Sequence, residues 1–244
     1  MKYILATDYD GTLRQNGEVS AENRIYIAKL RDKGHLFGVV SGRDFVYGYK
    51  QFKEKDKFPF DFVIMSGGAT ACDGEGNILF ARPVRNINAA KLIARILELT
   101  GNPCGISFEK TRIDFRPGDS LSDIKNVTEF VSANALCNTE EYAAEVCGIL
   151  KKEFAGTTPT QNGRCIDITA AGIDKTQGVA KLAEIFGVPN ENVWTAGDNY
   201  NDITMLKMYH GCAMKSGVDA ACDAAEYVCD SVADVIKIIL DVRR

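Results

Sequence analysis

The strongest constraint on the fold is a pattern near the start of the chain: a short apolar run, a helical stretch, then a second apolar run. Tyr3-Ile4-Leu5-Ala6-Thr7 is too short for a helix and reads as a buried strand. Ser20 caps a helix over 21–33, with Ile25, Ala28 and Leu30 on its apolar side and Gly34 ending it. Leu36-Phe37-Gly38-Val39-Val40 is the second strand. Strand, helix and strand joined by short returns imply a parallel pair with a right-handed crossover. Asp8 and Ser41 then leave the sheet at the same edge, where open α/β sheets bind ligands.

The alternation continues with a helix over 44–55 and a strand over 60–65 that stops at Ser66-Gly67-Gly68. Residues 69–81 read as a hairpin turning at Asp73-Gly74-Glu75-Gly76, where Gly74-x-Gly76 opens no helix and so makes no nucleotide loop. From Pro83 the pattern changes. A helix over 86–100 is followed by close-set strands over 106–109 and 111–116, helices over 120–135 and 139–154, and strands over 157–160 and 164–169. Helices beside an antiparallel sheet describe an α+β module, placed at 84–165. The α/β core resumes with a helix over 175–186 and a strand over 192–196 that ends at Gly197-Asp198. A short helix from 202, strands near Cys212 and Tyr227, and a helix over 231–242 complete it. The expected architecture is a Rossmann-like parallel-sheet core, 1–83 with 166–244, carrying an inserted α+β domain at 84–165.

A length of 244 residues suits a core plus one inserted module. The net charge of −4 shows no basic stripe, which argues against a nucleic-acid partner. No apolar run approaches the ~18 residues that cross a bilayer, so no membrane partner is expected. The eight cysteines form no C-x-x-C pair, so zinc is not expected, and a reduced, cytoplasmic protein with no leader segment is the simplest account.

The turn Asp8-Tyr9-Asp10-Gly11-Thr12 carries the chemistry. Asp-Gly alone is a common turn. A calcium loop is excluded by position, since its glycine would fall on Leu13 and its closing glutamate on Val19. What remains is a pair of acids able to hold a hard cation and to attack an electrophile. A carboxylate needs no base to act as a nucleophile, but against a phosphate it meets repulsion of roughly 4 kcal/mol per like-charge pair at ~4 Å and an effective dielectric of ~20. A divalent cation with oxygen ligands, Mg²⁺ above all, offsets that repulsion.

Asp8-Tyr9-Asp10-Gly11-Thr12-Leu13 resembles the first motif of the haloacid dehalogenase superfamily of phosphotransferases. The other three motifs of that family follow in order: Ser41 after the second strand, Lys175 in Asp174-Lys175-Thr176-Gln177-Gly178, and Gly197-Asp198-Asn199-Tyr200-Asn201-Asp202. The resemblance implies that Asp8 is the nucleophile and Asp10 the general acid and base. It implies Mg²⁺ held by the side chains of Asp8 and Asp198 and by the Asp10 carbonyl. Phosphate would be met by Thr12, Ser41, Gly42, Lys175 and Asn201, and Asp202 would orient Lys175.

The insert position and the stretch Ile166-Asp167-Ile168-Thr169 through Val179 are similar to the Cof-type sugar-phosphatase branch, whose large α+β cap selects substrate. That branch usually carries asparagine where this chain has Gly67. In the 111–116 strand Arg112, Asp114 and Arg116 share one face by period two, either as a polar cap floor meeting substrate or as a solvated face. Arg43 and Arg164 are further candidates of this kind, while His35 and His210 are given no role. The expected activity is Mg²⁺-dependent hydrolysis of small phosphate esters, sugar phosphates foremost, by a monomer or weak homodimer. A phosphomannomutase-like phosphosugar mutase and a non-catalytic phosphometabolite sensor are the alternatives.

Overall fold

The computed structural model describes residues 1–241. The expected end of the last helix at 242 lies outside them. An eight-stranded sheet runs in the order Tyr227–Cys229, His210–Met214, Val193–Gly197, Ile4–Asp8, Leu36–Val40, Phe62–Met65, Thr70–Asp73 and Ile78–Ala81. The first six strands are parallel and the last two add an antiparallel hairpin. Ile4–Asp8 is buried throughout and lies between Leu36–Val40 and Val193–Gly197, where the chain winding reverses. That crevice is where doubly wound sheets bind ligands.

Alternation along the strands fills two cores. Leu5 and Phe37 enter one with Ile27, Leu30, Val232 and Ile236, so helices Ala21–Asp32 and Val232–Asp241 cover that face. Ile4, Ala6, Val40 and Ile64 enter the other with Val179 and Leu182 of the helix Lys175–Phe186. A sheet buried on both faces explains why its strands read as continuous apolar runs.

The second sheet is antiparallel, in the order Arg112–Phe115, Cys104–Ser107, Ser132–Leu136, Cys165–Ala170 and Thr157–Asn162. Helices Ala89–Thr100 and Glu140–Glu153 share a separate core with it. Its Cys165–Ala170 strand runs five residues past the boundary expected at 165.

One expected helix is absent and a second is only half formed. Residues 120–135 form a short turn at Ser122–Ile124 and the strands Glu129–Phe130 and Ser132–Leu136. The apolar spacing there suits either period, but Ser132–Leu136 is flanked by Cys104–Ser107 and Cys165–Ala170, whose unpaired edges it completes. Of residues 44–55 the first half forms turns and helix begins only at 49, passing into a wide helical segment at Gln51–Asp56, where Phe45, Phe52, Phe58 and Phe60 pack in one aromatic cluster with Tyr9 and Tyr49. The hairpin Arg14–Gln15 with Glu18–Val19, signalled by Asn16-Gly17, was not expected.

Candidate active site

The site begins at the end of the Ile4–Asp8 strand. The chain folds back at once, with the Leu13 amide donating to the Asp8 carbonyl and that of Gly11 to Arg14. Gly11 has φ +92°, and a methyl there would lie 2.3 Å from Asp198 Oδ2, so only glycine fits both the turn and the approach of Asp198. Thr12 is buried, and its hydroxyl donates to Asp198 Oδ1 at 2.6 Å. Its hydroxyl therefore faces the carboxylate rather than the cavity described below.

Lys175 opens the helix Lys175–Phe186, whose first turn is capped by the Asp174 carboxylate accepting from the Gln177 amide. Behind it, Gly68 at φ +106° packs so closely that a methyl there would lie 2.0 Å from the Asp174 carbonyl oxygen. Lys175 Nζ sits 2.6 Å from both Asp8 Oδ1 and Asp202 Oδ1, in a buried triad. Burial disfavours the ammonium, but Asp202 and Asp8 outweigh it and hold Lys175 protonated. The second oxygen of Asp202 accepts from the amides of Asp198 and Asn199, so both of its oxygens are engaged.

The carboxylates of Asp8, Asp198 and Asp202 come within 4.8 Å of one another. Burial pushes the Asp8 carboxyl well up; Lys175 opposes this, while Asp202 and Asp198 add to it. Asp198 is likewise raised, by burial first and then, against the pull of Thr12, by Asp202. Three acids share one ammonium, and the uncommitted oxygens belong to Asp8 and Asp198. An all-oxygen, electron-rich pair of this kind fits a hard divalent cation.

Ser41 and Gly42 stand beside Asp8 on the neighbouring strand end, and the Ser41 hydroxyl accepts from the Arg43 amide at 3.2 Å. Asp10 lines the same cavity as Asp8 but stands outside the three-acid cluster. Its carboxylate, 49% exposed, accepts two hydrogen bonds from the Arg43 guanidinium at 2.9 and 3.0 Å, with Arg14 at 3.6 Å. Arg43 in turn lies over the Tyr9 ring at 5.2 Å.

A cavity of about 360 Å³ opens above Asp8 between the two sheets. It brings together Asp8, Asp10, Ser41, Gly42, Arg43 and Asn201 from the core motifs. The amide oxygen of Asn201 is buried without a partner in the protein. Arg112 and Arg116 are not brought in: they border a different recess with Asp114 and Asp119. Arg112 is consumed by Asp44 at 2.6 Å, Asp114 at 2.6 Å and Asn134 at 2.8 Å. At Gly67 a methyl would meet only Thr169 Cγ2 at 3.7 Å, so the missing side chain leaves space beside the site. Sequence reasoning missed Asp44, Tyr47, Asn134, Asn162, Cys165, Asp167 and Asn199, which complete the lining. Asp167 carried a local signal, as the polar residue between Ile166 and Ile168, and Asn199 lies within the fourth motif.

The same fold recurs in known proteins. The family model of the haloacid dehalogenase-like hydrolases matches residues 5–113 and 105–239. The 5-amino-6-(5-phospho-D-ribitylamino)uracil phosphatase YcsE of Bacillus subtilis is 27% identical over 93% of this chain and 90% of its own length. A phosphoglycolate phosphatase of Pyrobaculum aerophilum is 23% identical over 93% of this chain and 89% of its own. Among solved structures, an HAD subclass IIB sugar phosphatase superposes with a TM-score of 0.79 at 21% identity, over 97% of this chain and 98% of that one. A phosphatase of this superfamily from Bacteroides thetaiotaomicron gives 0.77 at 22% identity, over 99% and 95%. With the acid turn, the lysine-bearing helix and the strand order all in place, the chain belongs to the haloacid dehalogenase-like hydrolases, as a phosphatase of the Cof type.

Proposed function

We propose that this chain hydrolyses small phosphate monoesters of sugars or sugar alcohols through a phosphoryl group carried on Asp8. The observation that carries the reading is Lys175, held between Asp8 and Asp202 at 2.6 Å from each. An ammonium there cancels charge on the nucleophile and stands ready for the phosphoryl oxygens. Asp8 forms the P–O bond through its free oxygen as the ester P–O bond breaks, and the leaving alkoxide takes a proton from Asp10. Water then loses a proton to Asp10 and attacks phosphorus, which releases phosphate and restores Asp8. Ser41, the Gly42 amide and Asn201 bind the phosphoryl oxygens, while Arg43 holds Asp10 at the cavity rim.

Mg²⁺ would be held by the carboxylates of Asp8 and Asp198 with the Asp10 carbonyl, and supplies positive charge against the acids and the phosphate. Residues 84–165 act as a cap that contacts the leaving group. The sugar reading is supported by relatives named for a phosphoribitylamino substrate and by the amide-rich cavity wall. The working form is a cytoplasmic monomer or weak homodimer acting on small molecules, with no nucleic-acid partner. Among the described residues, no helix is long and apolar enough to cross a membrane.

The test is release of phosphate from a panel of esters, with Mg²⁺ and with chelator. Asp8→Asn lowers kcat by at least about a thousandfold, since it removes the nucleophile rather than a supporting contact. Release that survives Asp8→Asn would overturn the mechanism.

A further inference from the structure

Asp167 has no task in the reaction described above, yet it stands in the cavity. It lies on the Cys165–Ala170 strand, directly over the loop that follows Ser41: a methyl at Gly42 would be 2.6 Å from its Oδ2. It borders both the main cavity and a smaller recess of about 30 Å³ beside Gly67 and Lys175. Among the described residues, no side chain or amide donates to its carboxylate, so its oxygens are left for whatever enters.

The cations beside the phosphoryl end and under the cap sheet are already matched, and Arg164, exposed at the turn between Asn162 and Cys165, does not line the cavity. Lys175 is shared by Asp8 and Asp202, Arg43 by Asp10, and Arg112 by Asp44 and Asp114. The rest of the wall on the cap side offers the amides of Asn134 and Asn162 and the thiol of Cys165. Such a wall has acceptors and neutral donors but no spare positive charge. A hydroxyl or amino group satisfies it, whereas a second anion meets an uncompensated acid.

We propose that Asp167 is a specificity-determining residue that selects phosphate esters with an uncharged or cationic, hydroxyl- or amino-bearing leaving group and rejects those carrying a second anion. This deepens the phosphatase reading and rests on it. Burial pushes Asp167 up to about 7; Lys175 and Arg112 pull it back and Asp44 adds to the rise. At pH 8 it is therefore mainly the carboxylate. The phosphoryl end is unaffected by this filter, because its charge is met by Lys175 and the strand-end loop instead.

The experiment compares kcat/KM with Mg²⁺ at pH 8 for matched esters: glucitol 6-phosphate against gluconate 6-phosphate, and fructose 6-phosphate against fructose 1,6-bisphosphate. The neutral member of each pair is favoured at least about thirtyfold in the wild type, as one uncompensated like-charge contact predicts. Asp167→Asn shrinks that ratio at least about fivefold by improving the acidic member, and Asp167→Glu keeps it. A wild-type ratio near one, or a ratio unmoved in a folded Asp167→Asn, overturns the charge filter and leaves the phosphatase standing. No release from any ester overturns the phosphatase reading and the filter with it. The wild-type ratio decides the matter even where a variant does not fold.

Discussion

Asp198 and Asp202 lie in one short loop, yet they differ in how many lone pairs remain to them. Asp202 is fully buried, with one oxygen on Lys175 and the other on two backbone amides, which fixes the loop but leaves nothing to offer. Asp198 accepts from Thr12 through one oxygen and keeps the other. Its carboxyl is raised by burial, so it gains when a cation arrives. Saturating Mg²⁺ at ~100 times its Kd stabilises the fold by about 2.7 kcal/mol, or roughly 5–10 °C in Tm for a chain of this size. Asp198→Asn removes most of that Mg²⁺-dependent shift in a thermal melt, because the amide is a weak ligand for a hard cation. An undiminished shift would move the cation away from Asp198.

At the scale of elements, the site depends on how closely the Ser66–Gly68 turn meets the first residues of the Lys175–Phe186 helix. Ser66, Gly67 and Gly68 take left-handed φ values of +50°, +61° and +106° in succession, an unusual run that lets the turn reach the helix end. Gly68→Ala adds a methyl against the Asp174 carbonyl as well as a φ penalty, and costs about 3 kcal/mol in urea unfolding. Gly101→Ala is the control: at φ +64° with nothing within 4 Å of the added methyl, it costs about 1 kcal/mol. Equal costs would mean that the helix end yields freely. The glycines were visible as a strand end in sequence, and their contact with Asp174 was not. Similarly, the strand Ser132–Leu136 reads as helix until its two neighbours are known, since period alone does not separate the two for alanine-rich runs.

For the molecule as a whole, the two sheets are tied across the cavity by the buried pair of Asp44 and Arg112. Asp44 Oδ2 also accepts from the Ser107 hydroxyl at 2.7 Å, and Gly105 leaves room for the guanidinium, since a methyl there would sit 1.9 Å from Arg112 Nη2. Asp44→Ala leaves the Arg112 guanidinium with only the half-exposed Asp114 as a carboxylate partner and leaves the Ser107 hydroxyl unpaired, and it destabilises the protein by about 2–3 kcal/mol in urea unfolding. Adding Arg112→Met recovers part of that loss, because no charge is then left buried. Additive losses in the double variant would show that the two residues act independently.

The sequence by itself determined the parts that depend on local pattern. Apolar runs of strand length, caps and glycines marked the carboxyl ends at Asp8, Ser41 and Asp198, and parallel winding requires such ends to share one edge. The motif order named the lysine that joins them. Only the tertiary structure decided which charges remain available there. Arg112 and Asp44 are 68 residues apart and Lys175 and Asp8 are 167 apart, so no local period records that these pairs cancel. The same holds for Asp167, which is polar between two isoleucines in sequence and becomes an unmatched acid only when its strand is laid over Gly42. Periodicity is set by neighbours along the chain, whereas charge compensation is set by neighbours in space.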